Sequence, residues 1–224
     1  MAAVVAFDVN ETLLDLSPLD APFEEVLGSA SWRGQWFAQM LQLSFVGGLT
    51  GEYVDFGTAQ HAGLLMVAGR AGVSVSDQDA TAMVARMTSL PPHPEVAAAL
   101  LELSATPIKV AALTNSPLDV AEAQLQHAGI REHFDAVLSA DTARSLKPAP
   151  APYRSVAAAY DVPIGDVRLV AAHSWDVSGA LAAGCRAAFV ARPGMVLSPL
   201  GPQPDIVGGD IADVVEQILA RDLP

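Results

Sequence analysis

The chain has 224 residues, 51% hydrophobic and 17% charged, enough to bury a large core as one domain or one domain with an insertion, and too apolar to stay disordered. Its net charge of −13 argues against nucleic acid or an anionic membrane as a partner, because both attract basic patches, and leaves room for a small anion in a locally positive site. Cys185 is the single cysteine, which excludes an intrachain disulfide and leads us to expect a buried structural thiol in a cytoplasmic protein.

No apolar run reaches the roughly 18 residues of a membrane span, and the N-terminus lacks the basic segment of a signal peptide. The apolar run from Val4 to Phe7 delivers Asp8, and Asn10, Glu11 and Thr12 follow at once. The run reads as a buried strand of a parallel sheet with Asp8 at its carboxyl end. Ligands bind outside the carboxyl ends of such strands; the plainer role for Asp8 is to cap the turn or a following helix. Residues 16–90 show no strand pattern. Helices are predicted over Ser29–Leu43, broken by Gly47, Gly48 and Gly51, over Tyr53–Ala71, stopped by Gly72, and from Ser76 to about Met87. Pro91 and Pro92 end this stretch.

From Pro94 on, helix and strand alternate. Helices are expected over 94–103, 118–128, 150–160, 177–183 and 211–220. Strands are expected over 109–113, 136–139, 167–172 and 187–190, with a short edge strand at 206–207. The pattern predicts an α/β fold: a Rossmann-like parallel sheet with helices on both faces, plus an inserted all-helical cap. The core domain takes residues 1–15 and 91–224, and the cap domain residues 16–90.

Each core strand ends apolar and turns abruptly polar. The ends give Asp8, then Thr114 and Asn115, then His173 and Asp176, and a parallel sheet brings them to one edge. Lys147 joins them from the loop after Ser139. Beside two aspartates in a cleft it would neutralise them and keep Asp8 ionised. No GxGxxG follows the first strand, and no GK[ST] loop exists. There is no G-x-S-x-G elbow. His61, His93, His127, His133 and His173 lack metal-ligand spacing. A carboxylate nucleophile remains, forming an ester or acyl phosphate that water later cleaves.

The motifs D-V-N-E-T-L at Asp8, L-T-N-S at Thr114, K-P with Tyr153 six residues on, and the loop bearing Trp175 and Asp176 together resemble the haloacid dehalogenase superfamily. Phosphatases of that superfamily carry a second aspartate where this chain has Asn10, which cannot transfer a proton as an acid does. Asp176 is the single carboxylate in A-A-H-S-W-D, which is poor provision for magnesium. Trp32-Arg33 in the cap and the W-D pair look like the type II (L-2-haloacid) dehalogenases, a metal-independent branch, so the resemblance implies no cofactor. It implies a small 2-halocarboxylate substrate, hydrolysed to a 2-hydroxy acid with inversion at C2. It makes Asp8 the nucleophile, its carboxylate held by Thr12. Arg33, helped by Asn115, would receive the halide. Thr114 and the backbone near Val9 and Asn10 would hold the substrate carboxylate, with Trp175 lining the pocket. Lys147, positioned by Tyr153, would neutralise the charge, and Asp176 would orient Lys147 or the water.

Two departures from the family pattern stand out. Many of these dehalogenases have an aromatic residue in place of Asn10 and Gly in place of Glu11, which bears on pocket shape. Many also have Ser-Ser-Asn in place of Ala171, Ala172 and His173, which opens a choice between His173 and Asp176 for activating water. The rival readings are a magnesium-dependent phosphatase on the same fold and an inactive member serving as a binding module. An apolar cap helix offers a face on which two chains could pair as a homodimer.

Overall fold

The computed structural model describes residues 1–223. The strands β1 (Val4–Phe7), β2 (Lys109–Thr114), β3 (Ala136–Ser139), β4 (Val167–Ala171), β5 (Arg186–Val190) and β6 (Ile206–Gly208) form one sheet in the order β3-β2-β1-β4-β5-β6, every pairing parallel. The longer helices are α1 (Asp20–Leu27), α2 (Trp32–Thr50), α3 (Phe56–Ala71), α4 (Asp77–Ala85), α5 (Val96–Ser104), α6 (Leu118–His127), α7 (Pro150–Ala159), α8 (Ser174–Ala183) and α9 (Ile211–Asp222). The expected α/β architecture with helices on both faces is what the chain adopts.

β1 is the central strand. Val4 registers with Lys109 of β2 on one side and with Val167 of β4 on the other. All four of its residues are fully buried. Val5 and Phe7 join an apolar cluster with Leu100, Leu103, Val214 and Ile218 from α5 and α9. Val4 and Ala6 join a second with Tyr153, Val156, Val177 and Ala180 from α7 and α8. Each fully buried Val, Leu or Phe contributes about 1.5–3 kcal/mol, so a strand with both faces covered is strongly fixed in register. The chain runs from β1 outward through β2 and β3, then returns past β1 to β4, β5 and β6. That reversal lies at the carboxyl end of β1, where open α/β sheets hold their ligands.

Between Leu16 and Leu90 every regular element is helical. Three details differ from the sequence expectation, the first being α1, which lies ahead of the predicted helices. α2 runs straight through Gly47 and Gly48 and ends at Gly51, whose φ of 78° stops it in the left-handed region. Gly47 stays in the helix because a Cβ there would lie 2.6 Å from the Glu52 carbonyl, so close packing fixes the glycine. α8 starts at Ser174, so Trp175 and Asp176 occupy its first turn and not a loop. The apolar periodicity begins only at Val177, which hides a polar first turn stabilised by Asp176 at the positive end of the helix dipole.

Away from the sheet edge, Arg168 of β4 is wholly buried. Its Nε donates to Asp222 at 2.8 Å and its Nη1 to Asp205 at 2.5 Å. Asp222 also accepts the Ala2 N–H at 2.9 Å, which ties both ends of the chain to the sheet. Cys185 is buried, and burial pushes its thiol up to about 12. Among the described residues no helix is long and apolar enough to cross a membrane.

Candidate active site

Asp8 leaves β1 at its carboxyl end, 5% exposed, with its N–H donating to the Val170 carbonyl of β4 at 3.0 Å. The turn that follows folds back on itself. Thr12 Oγ1 donates to Asp8 Oδ2 at 2.7 Å and accepts the Ala172 N–H at 2.9 Å. Lys147 Nζ donates to Asp8 Oδ1 at 2.9 Å, to Asp176 Oδ2 at 2.6 Å and to the Leu113 carbonyl at 2.8 Å. All three donors of the ammonium are used, and the side chain is fully buried. Tyr153 Oη donates to Asp176 Oδ1 at 2.6 Å. Asn115 grips the Lys147 backbone from both ends of its amide, accepting its N–H at 2.8 Å and donating to its carbonyl at 3.2 Å. Thr114 Oγ1 accepts the Ser116 N–H at 3.1 Å, which tightens the turn after β2.

The electrostatics follow from burial and these pairings. Burial alone would raise the Asp8 carboxyl, but the Lys147 ammonium and the His173 imidazole outweigh it and hold the group well below the ordinary carboxylate range. Burial works against the Lys147 charge as well, and Asp176 and Asp8 raise it above the ordinary lysine value regardless. Burial, the first cause, raises Asp176 against the pull of Lys147. The same burial, with Asp176 beside it, lifts the Tyr153 phenol well above its ordinary value, so it is a donor and not a base.

His173, at the N-cap of α8, faces Asp8 as well. Its Nδ1 lies 3.1 Å from Asp8 Oδ2 and its Nε2 2.9 Å from Glu11 Oε2. The ring is stacked between Phe37 of α2, at 5.4 Å, and Trp175, at 5.2 Å. Burial would lower its value, and the hydrogen bonds and charges of Asp8 and Glu11 raise it from the ordinary 6.5 to about 9. Folding therefore takes up a proton here between those two values. The stabilisation is fully present below pH 6.5 and is lost as pH rises through about 9. It amounts to about 3 kcal/mol, shared with Asp8 because the two shifts describe one pairing. Urea unfolding at about pH 6 and about pH 10 tests this: the stability gap between wild type and His173→Gln is expected to shrink by that amount at the higher pH.

Other sequence-predicted residues take definite places. Arg33, in the first turn of α2, donates through Nε to Asp20 at 2.5 Å and through Nη1 to Glu11 at 3.4 Å. Asn10 turns away from Asp8: its Nδ2 donates to Ser116 Oγ at 3.3 Å and its Oδ1 accepts from Gln124 Nε2 at 3.0 Å. Val9 is fully buried in the apolar core. The Trp175 indole N–H is buried and has no acceptor among the described residues. Trp36, by contrast, donates to the Gln60 carbonyl and belongs to the core.

Three contributors escape sequence reasoning. Glu11 stands out in the sequence as a departure, with nothing to name its partner. Arg192, 7% exposed, clamps the Thr12 carbonyl at 2.9 Å and pairs with Glu95 at 2.6 Å, which braces the turn after Asp8 from behind. Gly179 lets α8 approach Lys147–Pro148 and Tyr153; a Cβ there would lie 2.5 Å from Pro148 Cβ and 2.6 Å from Tyr153 Oη. A cavity of about 520 Å³, lined by Phe45, Gly47, Tyr53, Arg144, Leu146 and Lys147 among others, lies beside this centre, and Asp8 and His173 are not in its wall.

An ionised aspartate thus stands at the end of the central strand, braced by an ammonium, a hydroxyl and an imidazole, with α2 packed against that imidazole through Phe37. The model of the haloacid dehalogenase-like hydrolase family matches residues 2–184. The (S)-2-haloacid dehalogenase of Xanthobacter autotrophicus is 33% identical over 214 residues, covering 95% of this chain and 82% of that one. The haloacetate dehalogenase H-2 of Moraxella sp. (strain B) is 27% identical over 96% of this chain and 97% of its own. The solved structure of the Xanthobacter autotrophicus L-2-haloacid dehalogenase with chloropropionic acid covalently bound superposes with a TM-score of 0.91 at 28% identity, covering all of both chains. The chain belongs to the haloacid dehalogenase-like hydrolases and is an enzyme of the haloacid dehalogenase type.

Proposed function

We propose that this enzyme hydrolyses the carbon–halogen bond of small 2-haloacids, haloacetates and L-2-haloacids, to 2-hydroxy acids, without a metal and with inversion at C2. An Asp8 oxygen displaces the halide from the rear of C2 and forms an ester. Water then attacks the Asp8 carboxyl carbon and releases the hydroxy acid. The displacement brings two anions together and expels a third, so it needs a positive lining on an acidic chain. Lys147 supplies it at Asp8, and Arg33 supplies it from the helical segment 16–90, which we assign as a cap over the site. Asn115 keeps one amide N–H for the halide, and the unpaired Trp175 indole N–H is a further donor to an anion. Thr114 and the backbone at Val9 and Asn10 take the substrate carboxylate.

The observation that carries this reading is the Asn10 carboxamide, tied to Gln124 and Ser116 at the position of the phosphatases' general acid. The donor set supports metal independence: the Lys147 ammonium stands between Asp8 and Asp176, the carboxylates a cation would need. We expect halide release from chloroacetate and L-2-chloropropionate in EDTA, and no phosphate release from nitrophenyl phosphate with magnesium. In one turnover, oxygen from isotopically labelled water enters Asp8. Label found only in the product would sink the ester route.

A further inference from the structure

Displacement of halide leaves one part of the site unused. His173 bridges Asp8 and Glu11, one ring nitrogen to each, and two aromatic rings clamp it in that orientation. Glu11 sits at φ 60°, a left-handed conformation that glycine adopts freely and that costs another residue about 1–2 kcal/mol. Its side chain offsets the strain: one carboxylate oxygen meets His173 and the other Arg33. Asp176 offers water no free face. It is fully buried, with Lys147 on one oxygen and Tyr153 on the other.

Building on the ester route proposed above, we infer that Glu11 and His173 form a carboxylate–imidazole pair that takes the proton from the ester-cleaving water, and that the charge on Asp8 switches the pair on. In the resting enzyme the Asp8 carboxylate holds His173 as imidazolium. Alkylation turns Asp8 into a neutral ester. The charge and acceptor that stabilised the imidazolium are gone, and its proton leaves to solvent alongside the halide. Glu11 keeps the Nε2–H, so Nδ1 presents its lone pair toward the Asp8 carboxyl. Water between them gives a proton to Nδ1 as its oxygen bonds to the carboxyl carbon. The acyl–oxygen bond breaks, the departing alkoxide takes the second proton of that water from the new Asp8 carboxyl, the product leaves as the hydroxy acid, and the Asp8 carboxylate and the imidazolium are restored. One proton is released per turnover, as hydrolysis to hydroxy acid and halide requires. His173 is the catalytic base and Glu11 a positioning residue. The groups that set its titration are Asp8 and Glu11 directly, Arg33 through Glu11, Asp20 through Arg33, and Lys147 through Asp8; Phe37 and Trp175 add no charge.

The test is rapid-quench kinetics with chloroacetate on wild type, Glu11→Gln and His173→Asn. Both variants are expected to give a full single-turnover halide burst, within about 3-fold of the wild-type rate. Steady-state turnover falls about 100-fold or more. The ester accumulates as one carboxymethyl group on Asp8 by mass spectrometry. The burst itself reports a folded site. In Glu11→Gln the pH midpoint of ester cleavage moves down, because the carboxylate that stabilises the imidazolium is missing, and Glu11→Asp recovers part of the rate. Asp8→Asn, neutral like the ester, lowers the imidazole titration of His173 seen by NMR. Variants that turn over at the wild-type rate, or that lose the burst together with turnover, overturn the pair. Wild type that releases halide without ever forming an Asp8 adduct overturns instead the ester route on which it rests.

Discussion

At neutral pH, Lys147→Met is expected to lower the free energy of unfolding by about 3–5 kcal/mol, although methionine fills nearly the same volume. The Lys147 ammonium is fully buried and spends its three donors on Asp8, Asp176 and the Leu113 carbonyl. Methionine offers none of them, and two buried carboxylates are left facing each other. The loss has a pH signature. Lys147 is the largest influence holding Asp8 below its ordinary value of 3.8, so the stabilisation is present above that pH and disappears as pH falls toward the folded value. Wild type and variant therefore converge in strong acid, and urea unfolding at about pH 7 and about pH 2 measures the gap. Turnover falls with the loss of the positive lining, by about 10²–10³-fold. Lys147→Arg does not rescue, because a planar guanidinium cannot direct donors to three acceptors around a point. A variant as stable as wild type at neutral pH would refute the bridging role.

Asp8→Asn is expected to abolish turnover, by at least about 10⁴-fold, with a smaller effect on stability. The amide oxygen is a poor nucleophile and a carboxamide cannot carry the ester. The fold has less reason to object: the substituted carboxamide keeps an oxygen for Lys147 or Thr12, at positions where Asp8 now accepts from both. Binding of the product hydroxy acid, followed by calorimetry, is retained. That separates loss of chemistry from loss of the site. Undiminished halide release by this variant would show that the reacting carboxylate lies elsewhere.

Much of this was readable in the residues. Strands with both faces buried are continuous apolar runs, so VVAF, KVAALT and VRLVA could be placed, and with them the polar residues at their ends. Lys147 joins Asp8 and Asp176 at the strand ends, and Tyr153, which the family resemblance set beside Lys147, bonds Asp176 instead. What was illegible depends on tertiary contact. Gly47 and Gly48 look like a break, yet α2 runs through both, and only the close approach of the Glu52 carbonyl to Gly47 shows why a glycine stands there. The first turn of α8 is polar because it serves the site, so periodicity hid it. Glu11 could have been found from a single oddity, a long acidic side chain in a turn that asks for glycine. Arg192 gave no signal at all, since its partner is the Thr12 carbonyl, across 180 residues of chain.

The central place of β1 also governs how the molecule comes into being. Its partners β2 and β4 lie more than a hundred residues downstream, so the strand that bears Asp8 emerges from the ribosome long before either neighbour exists. Loop closure over such separations is slow. The helical segment after it can gather local contacts early, while the N-terminal strand waits unpaired. The candidate site is therefore among the last parts of the molecule to mature, and a nascent chain lacking β4 and α8 has neither His173 beside Asp8 nor Asp176 beside Lys147.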